Sequence, residues 1–170
     1  MKLFFCSIFF SSLVSACPAE SVLPSDAVQA LYKNSEVLQY ICVENLNCSA
    51  DEFMKGLEVK EVNLSSIPRE RRRALLVEPV KKGRQFFSAV FLVKDGESRM
   101  VFSPDTTLSG LKILPISKNR LYILRGTERE SNEAWKETDY GFDRQSQQYK
   151  QVATRCFREN DGKSIQVKCG

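Results

Sequence analysis

The chain of 170 residues contains no histidine. That removes the usual base of nucleophilic triads, the commonest metal ligand and the side chain best suited to proton transfer near neutral pH. Helix-turn-helix patterns, zinc-finger spacings and aromatic RNA platforms are missing as well, as are glycine-rich phosphate loops and regular calcium-ligand spacings. Ser109-Gly110-Leu111-Lys112 has the Ser-x-x-Lys spacing that can set a lysine beside a serine nucleophile. It falls at a turn into a strand rather than at a helix start, and such a tetrapeptide arises by chance in a chain rich in both residues. Glu128, Glu130, Glu133, Glu137 and Asp139 contain the raw material for a carboxylate pair, but they alternate with Arg129, Lys136 and other polar residues and read as a solvated hairpin rim. The expectation is a protein that is not an enzyme and uses neither metal nor cofactor.

What is present begins at the N-terminus. Met1 and Lys2 precede a mostly apolar run, Leu3 to Val14, too short to cross a bilayer as a lasting helix, which reads as the apolar core of an export signal. It closes with Val14-Ser15-Ala16-Cys17, which resembles the bacterial lipobox, in which the cysteine is acylated and becomes the new N-terminus. Residues 1–16 are therefore expected to be a lipoprotein-type signal peptide, 17–24 a tether and 25–170 one α+β domain. Cleavage by ordinary signal peptidase after Ala16 or Ala19 is the alternative, since small residues precede both bonds. One acyl chain anchors only marginally, so the multiple acylation implied by the lipobox would hold the domain to the outer membrane or cell envelope, on its periplasmic side. Loss of Lys2 with the signal lowers the formal charge from +4 to +3, too mild a charge for a nucleic-acid binder.

Of the 6 cysteines, Cys6 leaves with the signal and Cys17 is spent on lipid. Cys42, Cys48, Cys156 and Cys169 remain, an even set in an oxidising compartment, which predicts two disulfides. Three connectivities are open to four cysteines. The spacing favours Cys42–Cys48 with Cys156–Cys169, because each closes a short segment and the second spans a turn at Asn160-Asp161-Gly162, with the two cysteines expected opposite one another.

Apolar residues recur at helical spacing at Val28, Leu31, Tyr32, Leu38 and Ile41, which predicts a helix from a Ser25 cap to about Cys42. Ser49 and Glu52 have capping-box spacing ahead of Phe53, Met54 and Leu57. From Glu58 onward the pattern is of strands: 58–64, 74–80, 85–94, 98–103, 111–116, 121–125, 135–142, 149–157 and 164–168. Gln85 to Lys94 is apolar on both faces, as in a central strand. Asp95-Gly96 is the clearest hairpin turn. The expected fold is α+β, an N-terminal helical segment packed on a mainly antiparallel sheet that is curved or barrel-like.

Two surface features suggest binding. Pro68 to Arg73, with Arg71 and Arg72 at its centre, is a basic run before a buried strand, and Lys81, Lys82 and Arg84 lie at the far end of that strand. Such a run suits anionic headgroups or an acidic protein. The second is a polar loop over Gly126 to Asn132, in which Glu128, Arg129, Glu130 and Asn132 are the candidate contacts.

Val62-Asn63-Leu64 followed by Ala74 to Val77, then Trp135, Tyr140-Gly141-Phe142-Asp143 and Tyr149, resemble small periplasmic proteins of the immunity and cell-wall-hydrolase-inhibitor type. Ser65-Ser66 replaces an Asp-Gly element of that pattern, and Arg144 stands where it has glycine. The resemblance implies a protein that binds an exported hydrolase or effector enzyme and occludes its active site. The alternative is an accessory or structural lipoprotein of an envelope assembly or secretion system.

Overall fold

The computed structural model describes residues 23–42, 48–103 and 107–170. The expected signal 1–16, Cys17 and residues 18–22 lie outside the described residues, while Leu23, at the end of the expected tether, is buried in the core. Where one helix is expected from Ser25 to Cys42 there are two, α1 (Ser25–Tyr32) and α2 (Ser35–Ile41). Asn34 makes the break. Its side-chain oxygen accepts the backbone N–H groups of Glu36 and Val37 at 3.1 and 3.0 Å, and asparagine caps a helix more favourably than it continues one. Ser25 is not the cap of α1: Pro24 precedes the first turn, and Ser25 is already helical. α3 (Ala50–Lys55) has the expected capping box, with Ser49 Oγ accepting the Glu52 N–H and the Glu52 carboxylate accepting the Ser49 N–H. A disulfide from Cys42 to Cys48, Cα atoms 5.8 Å apart, ties the end of α2 to the start of α3.

In chain order the strands are β1 (Leu57–Asn63), β2 (Arg73–Pro79), β3 (Phe86–Phe87), β4 (Ala89–Lys94), β5 (Glu97–Phe102), β6 (Thr107–Leu108), β7 (Gly110–Lys118), β8 (Leu121–Arg129), β9 (Ala134–Asp143), β10 (Gln148–Asn160) and β11 (Lys163–Val167). The mainly antiparallel α+β architecture stands, but the strands do not make one sheet. They form a four-stranded sheet in the order β1-β2-β4-β5, a five-stranded meander β11-β10-β9-β8-β7 and a ribbon β3-β6. No closed barrel forms among the described residues, which corrects the barrel-like expectation. The reason lies in β2 and β4. Leu75, Val77, Ala89 and Phe91 pack with Leu31, Val37 and Phe53 of the helices, whereas Ala74 and Val90 pack with Leu124, Phe142 and Tyr149 of the five-stranded sheet. Strands apolar on both faces require a layer on each. The result is helices, first sheet and second sheet in three layers.

The strand expected over 85–94 breaks at Ser88, which is fully buried and donates its hydroxyl to the Glu78 carboxylate at 3.2 Å. Phe86 and Phe87 then pair with Thr107 and Leu108, a strand too short for its own sequence pattern. Asp95-Gly96 and Asp161-Gly162 both turn with positive φ at each residue, the two-residue hairpin geometry that matches strand twist. With Asn160 paired to Lys163, Cys156 stands opposite Val167 rather than Cys169, and the Cys156–Cys169 bridge spans Cα atoms 5.3 Å apart.

One carboxylate fastens α1 to the first sheet. Asp26 accepts both the N–H and the hydroxyl of Ser98 in β5, each at 2.8 Å. These bonds from Ser98 hold the Asp26 pKa below its ordinary value of 3.8, so the contact is intact above that value and is lost as pH falls through the lower, folded pKa. Asp26→Ala is expected to raise amide hydrogen exchange in α1 at neutral pH while β2 and β4 stay protected, and acid that protonates Asp26 in the folded parent chain should reproduce the pattern. Unchanged exchange in α1 would show that the helix is held by its apolar face alone.

Candidate functional site

The two regions expected to bind partners lie at opposite ends of β8. Leu121 bridges to Ser65, which brings the 65–72 loop against the start of β8, whereas Arg129 and Glu130 lie at its other end. A strand of nine residues separates them by roughly 26 Å at about 3.3 Å per residue. They are two surfaces, not one.

At the far end, the expected loop 126–132 is mostly strand. Gly126 to Arg129 belong to β8 and pair with Trp135 to Thr138 of β9. Gly126 is required for packing, not for mobility: a Cβ there would come within 2.9 Å of Leu108 Cδ2 and 3.2 Å of Tyr140. What remains is a tight turn over residues 130–133. The Glu130 and Ser131 N–H groups donate to Ala134 O at 3.0 and 3.1 Å, and Ser131 Oγ accepts the Ala134 N–H at 2.9 Å. Glu130 and Asn132 are exposed at its tip, while Glu128 is drawn back into a 2.6 Å ion pair with Lys136. The turn is exposed, partly acidic and closed by its own hydrogen bonds.

The carboxylates expected on a solvated rim divide between two places. Only Glu130 and Glu133 sit in the turn. Asp139 is buried, 7% exposed, on the outer face of the five-stranded sheet. Its Oδ1 accepts Arg125 Nε at 2.6 Å, and its Oδ2 accepts Arg125 Nη2 at 3.1 Å and Arg155 Nη2 at 2.8 Å. Glu137 lies 3.4 Å from Arg125. The Arg125 hydrogen bonds hold Asp139 below its ordinary pKa, and in return Asp139 raises that of Arg125. Two cations face two anions across β8, β9 and β10, and each is engaged, so the cluster is a structural clamp rather than an acid–base pair. Alternation along β9 places Glu137 and Asp139 on one face, but only the sheet order supplies Arg125 and Arg155 to it.

At the near end, loops from both sheets gather cations. Arg72, Asn119, Arg120, Phe142, Arg144 and Gln147 line a concavity of about 310 Å³. Arg69 and Arg71 lie on a neighbouring one of about 370 Å³, with Ser65, Ser66 and Tyr122. Arg69, Arg71, Arg120 and Arg144 are exposed and have no carboxylate partner among the described residues, whereas Arg72 Nε is held by Glu70 at 2.7 Å. Asp143, beside Arg144, is already committed to Lys150 at 2.7 Å and to Ser146, which hold its pKa well below the ordinary carboxylate range. This end therefore carries unbalanced positive charge. Arg71 and Arg72 were legible as part of a basic run; Arg120 and Arg144, isolated in separate turns, were not.

Lys112 of the Ser-x-x-Lys stretch stands opposite Arg125, and Ser109 Oγ is buried without a hydrogen-bond partner among the described residues. No cluster of three or more acidic or cysteine side chains among them is arranged to hold a metal. No family model matches this chain, and no curated protein or solved structure matches it either.

Proposed function

We propose that this chain is an envelope lipoprotein, cleaved before Cys17 and anchored there, whose domain is a protein-binding module that inhibits an exported cell-wall hydrolase or effector enzyme. The observation that carries the reading is the placement of the 130–133 turn. It projects from the end of the fold away from the point where the chain enters α1, since Asp26 is bonded to Ser98 at the arginine end. A domain held through its N-terminus would then present Glu130 and Asn132 outward, on a turn stiffened by Ser131 and by the Gln85 amide, which donates to Arg129 O at 2.9 Å. A stiff exposed turn loses little conformational freedom when it enters a cleft. The absence of histidine, the engaged carboxylates and the bridged cysteines all favour binding over catalysis.

The test is affinity capture of the tagged mature protein from envelope extract, followed by assay of what it retains. A hydrolase should co-purify stoichiometrically and lose activity, and Glu130→Lys should weaken retention by about tenfold, as for a central interface contact. Recovery of assembly components alone, with no hydrolase inhibited, would favour an accessory lipoprotein instead. Cys17→Ser should move the protein from the membrane to the soluble periplasmic fraction.

A further inference from the structure

We propose that the concavity between Arg72, Arg120 and Arg144 is an oxyanion socket, and that it takes the phosphate of an anionic lipid headgroup. The lipid as its source rests on the anchored reading above; the socket itself stands on geometry.

Backbone conformation first singles it out. The described chain has three two-residue hairpins with both central residues at positive φ: Asp95-Gly96, Asp161-Gly162 and Asn119-Arg120. In the first two the second position is glycine, as the geometry favours. In the third it is Arg120, at φ 69°. A second arginine does the same nearby: Pro68-Arg69 turns the chain between Ile67 and Glu70, whose N–H donates to Ile67 O at 3.1 Å, with Arg69 at φ 69° where such a turn favours glycine. Gln147, on the socket wall, is also left-handed at φ 59°. Strained backbone of this kind persists where the surroundings hold it, and it collects at functional sites.

The surroundings do hold it. Ser66 N–H donates to Arg120 O at 3.1 Å, and the Asn119 amide donates to Phe142 O at 2.6 Å. The Gln147 amide donates to Arg144 O at 2.8 Å, and Arg99 Nη2 donates to both Gln147 oxygens at 2.9 Å. The backbones of three separate turns are thus locked together, while the guanidinium heads of Arg120 and Arg144 keep their donors free among the described residues. Fixed stems with free planar donors suit a tetrahedral or planar oxyanion.

Position selects the lipid. Asp26, in the first turn of α1, is bonded to Ser98, and the next residue, Arg99, holds Gln147 on the socket wall. The chain therefore enters the fold at the same end as the socket, on the helix-covered face of β5. Only five residues lie between Cys17 and Leu23, and the six Cα-to-Cα steps reach roughly 20 Å. An acyl anchor at Cys17 keeps this end, with its unbalanced arginines, against the headgroup layer, and the 130–133 turn points away.

The test uses the full chain carrying Cys17→Ser, so that no acyl chain contributes. It is mixed with vesicles of phosphatidylcholine alone and of phosphatidylcholine with phosphatidylglycerol, and it is titrated separately with inorganic phosphate while the arginine side-chain resonances are followed. Binding is expected only to the anionic vesicles. Arg144→Gln and Arg120→Gly should each lower partition by about fivefold, as for the loss of one basic residue at a charged surface, while Arg158→Gln on β10 leaves it unchanged. Phosphate should shift the Arg120 and Arg144 signals and compete with the vesicles. Because glycine suits the turn, Arg120→Gly should melt no lower than the parent, which separates lost binding from lost folding. An equal loss in Arg158→Gln, vesicle binding that phosphate neither perturbs nor displaces, or an acidic protein captured at this end and not displaced by phosphate would each overturn the socket. Acylation is read separately, from the mass of the mature protein: an unacylated chain that binds these vesicles keeps the socket without the anchor, and an acylated one that ignores the headgroup does the reverse.

Discussion

Replacing Phe91 with alanine is expected to destabilise the protein by about 3–5 kcal/mol, the range for a buried aromatic ring removed from a packed core. Phe91 is 1% exposed at the middle of β4, opposite Leu75 on β2 and Met100 on β5, and it belongs to the apolar layer that joins the first sheet to the helices. The helices are short, between 6 and 8 residues each, and lengths of that order do not persist in water without tertiary contacts. A cavity at Phe91 therefore removes support from all three at once. The melting temperature should fall by roughly 10 to 20 °C. Ile165→Ala on the exposed strand β11, where Ile165 is 46% exposed, provides the contrast and should stay within about 0.5 kcal/mol of the parent. Equal losses in the two variants would mean that the helix–sheet interface is not the stabilising core described above.

Asp139→Ala should have the next largest effect. The substitution strips Arg125 and Arg155 of their shared acceptor and leaves only Glu137 beside them. Breaking a fully buried ion pair from one side costs about 3–5 kcal/mol, but these arginine side chains are 24% and 30% exposed and water recovers part of that, so about 2 kcal/mol is expected here. The pH dependence has a definite sign. Hydrogen bonds from Arg125 lower the folded-state pKa of Asp139 below 3.8, so the unfolded chain binds the proton more readily. The stabilisation is complete above the ordinary value and disappears as pH falls through the folded one. Parent and variant should differ in denaturant midpoint at pH 7, with equal slopes, and should converge only in acid, once pH has fallen through the lowered folded pKa of Asp139. A difference that persists unchanged in strong acid would place its origin in packing rather than in charge.

Much of the local structure could be read directly. Asp95-Gly96 and Asp161-Gly162 specify two-residue hairpins because few other dipeptides accept their backbone angles. Ser49 and Glu52 satisfy each other's backbone donors within a single turn. Asn34 shows the limit: the apolar spacing of Leu31, Leu38 and Ile41 suits one long helix, yet an asparagine oxygen within reach of two free N–H groups restarts it. Gly126 misleads in another way. Among polar neighbours it looks like loop, and only the closeness of Leu108 and Tyr140 shows why a side chain has no room there.

The amino-acid order by itself determined the chemistry that histidine's absence withholds, the two Asp-Gly hairpins, the capping box and the two-sided apolar character of the central strands. These depend on bond geometry and on partners a few residues away. The tertiary structure alone decided that the strands divide between two sheets, that Asp139 is clamped by Arg125 and Arg155, and that Arg72, Arg120 and Arg144 meet at one concavity while Glu130 stands at the opposite end of β8. Each of these joins turns or strands distant along the chain. Their meeting depends on which hydrophobic faces find cover against one another, and a run of charges carries no record of that.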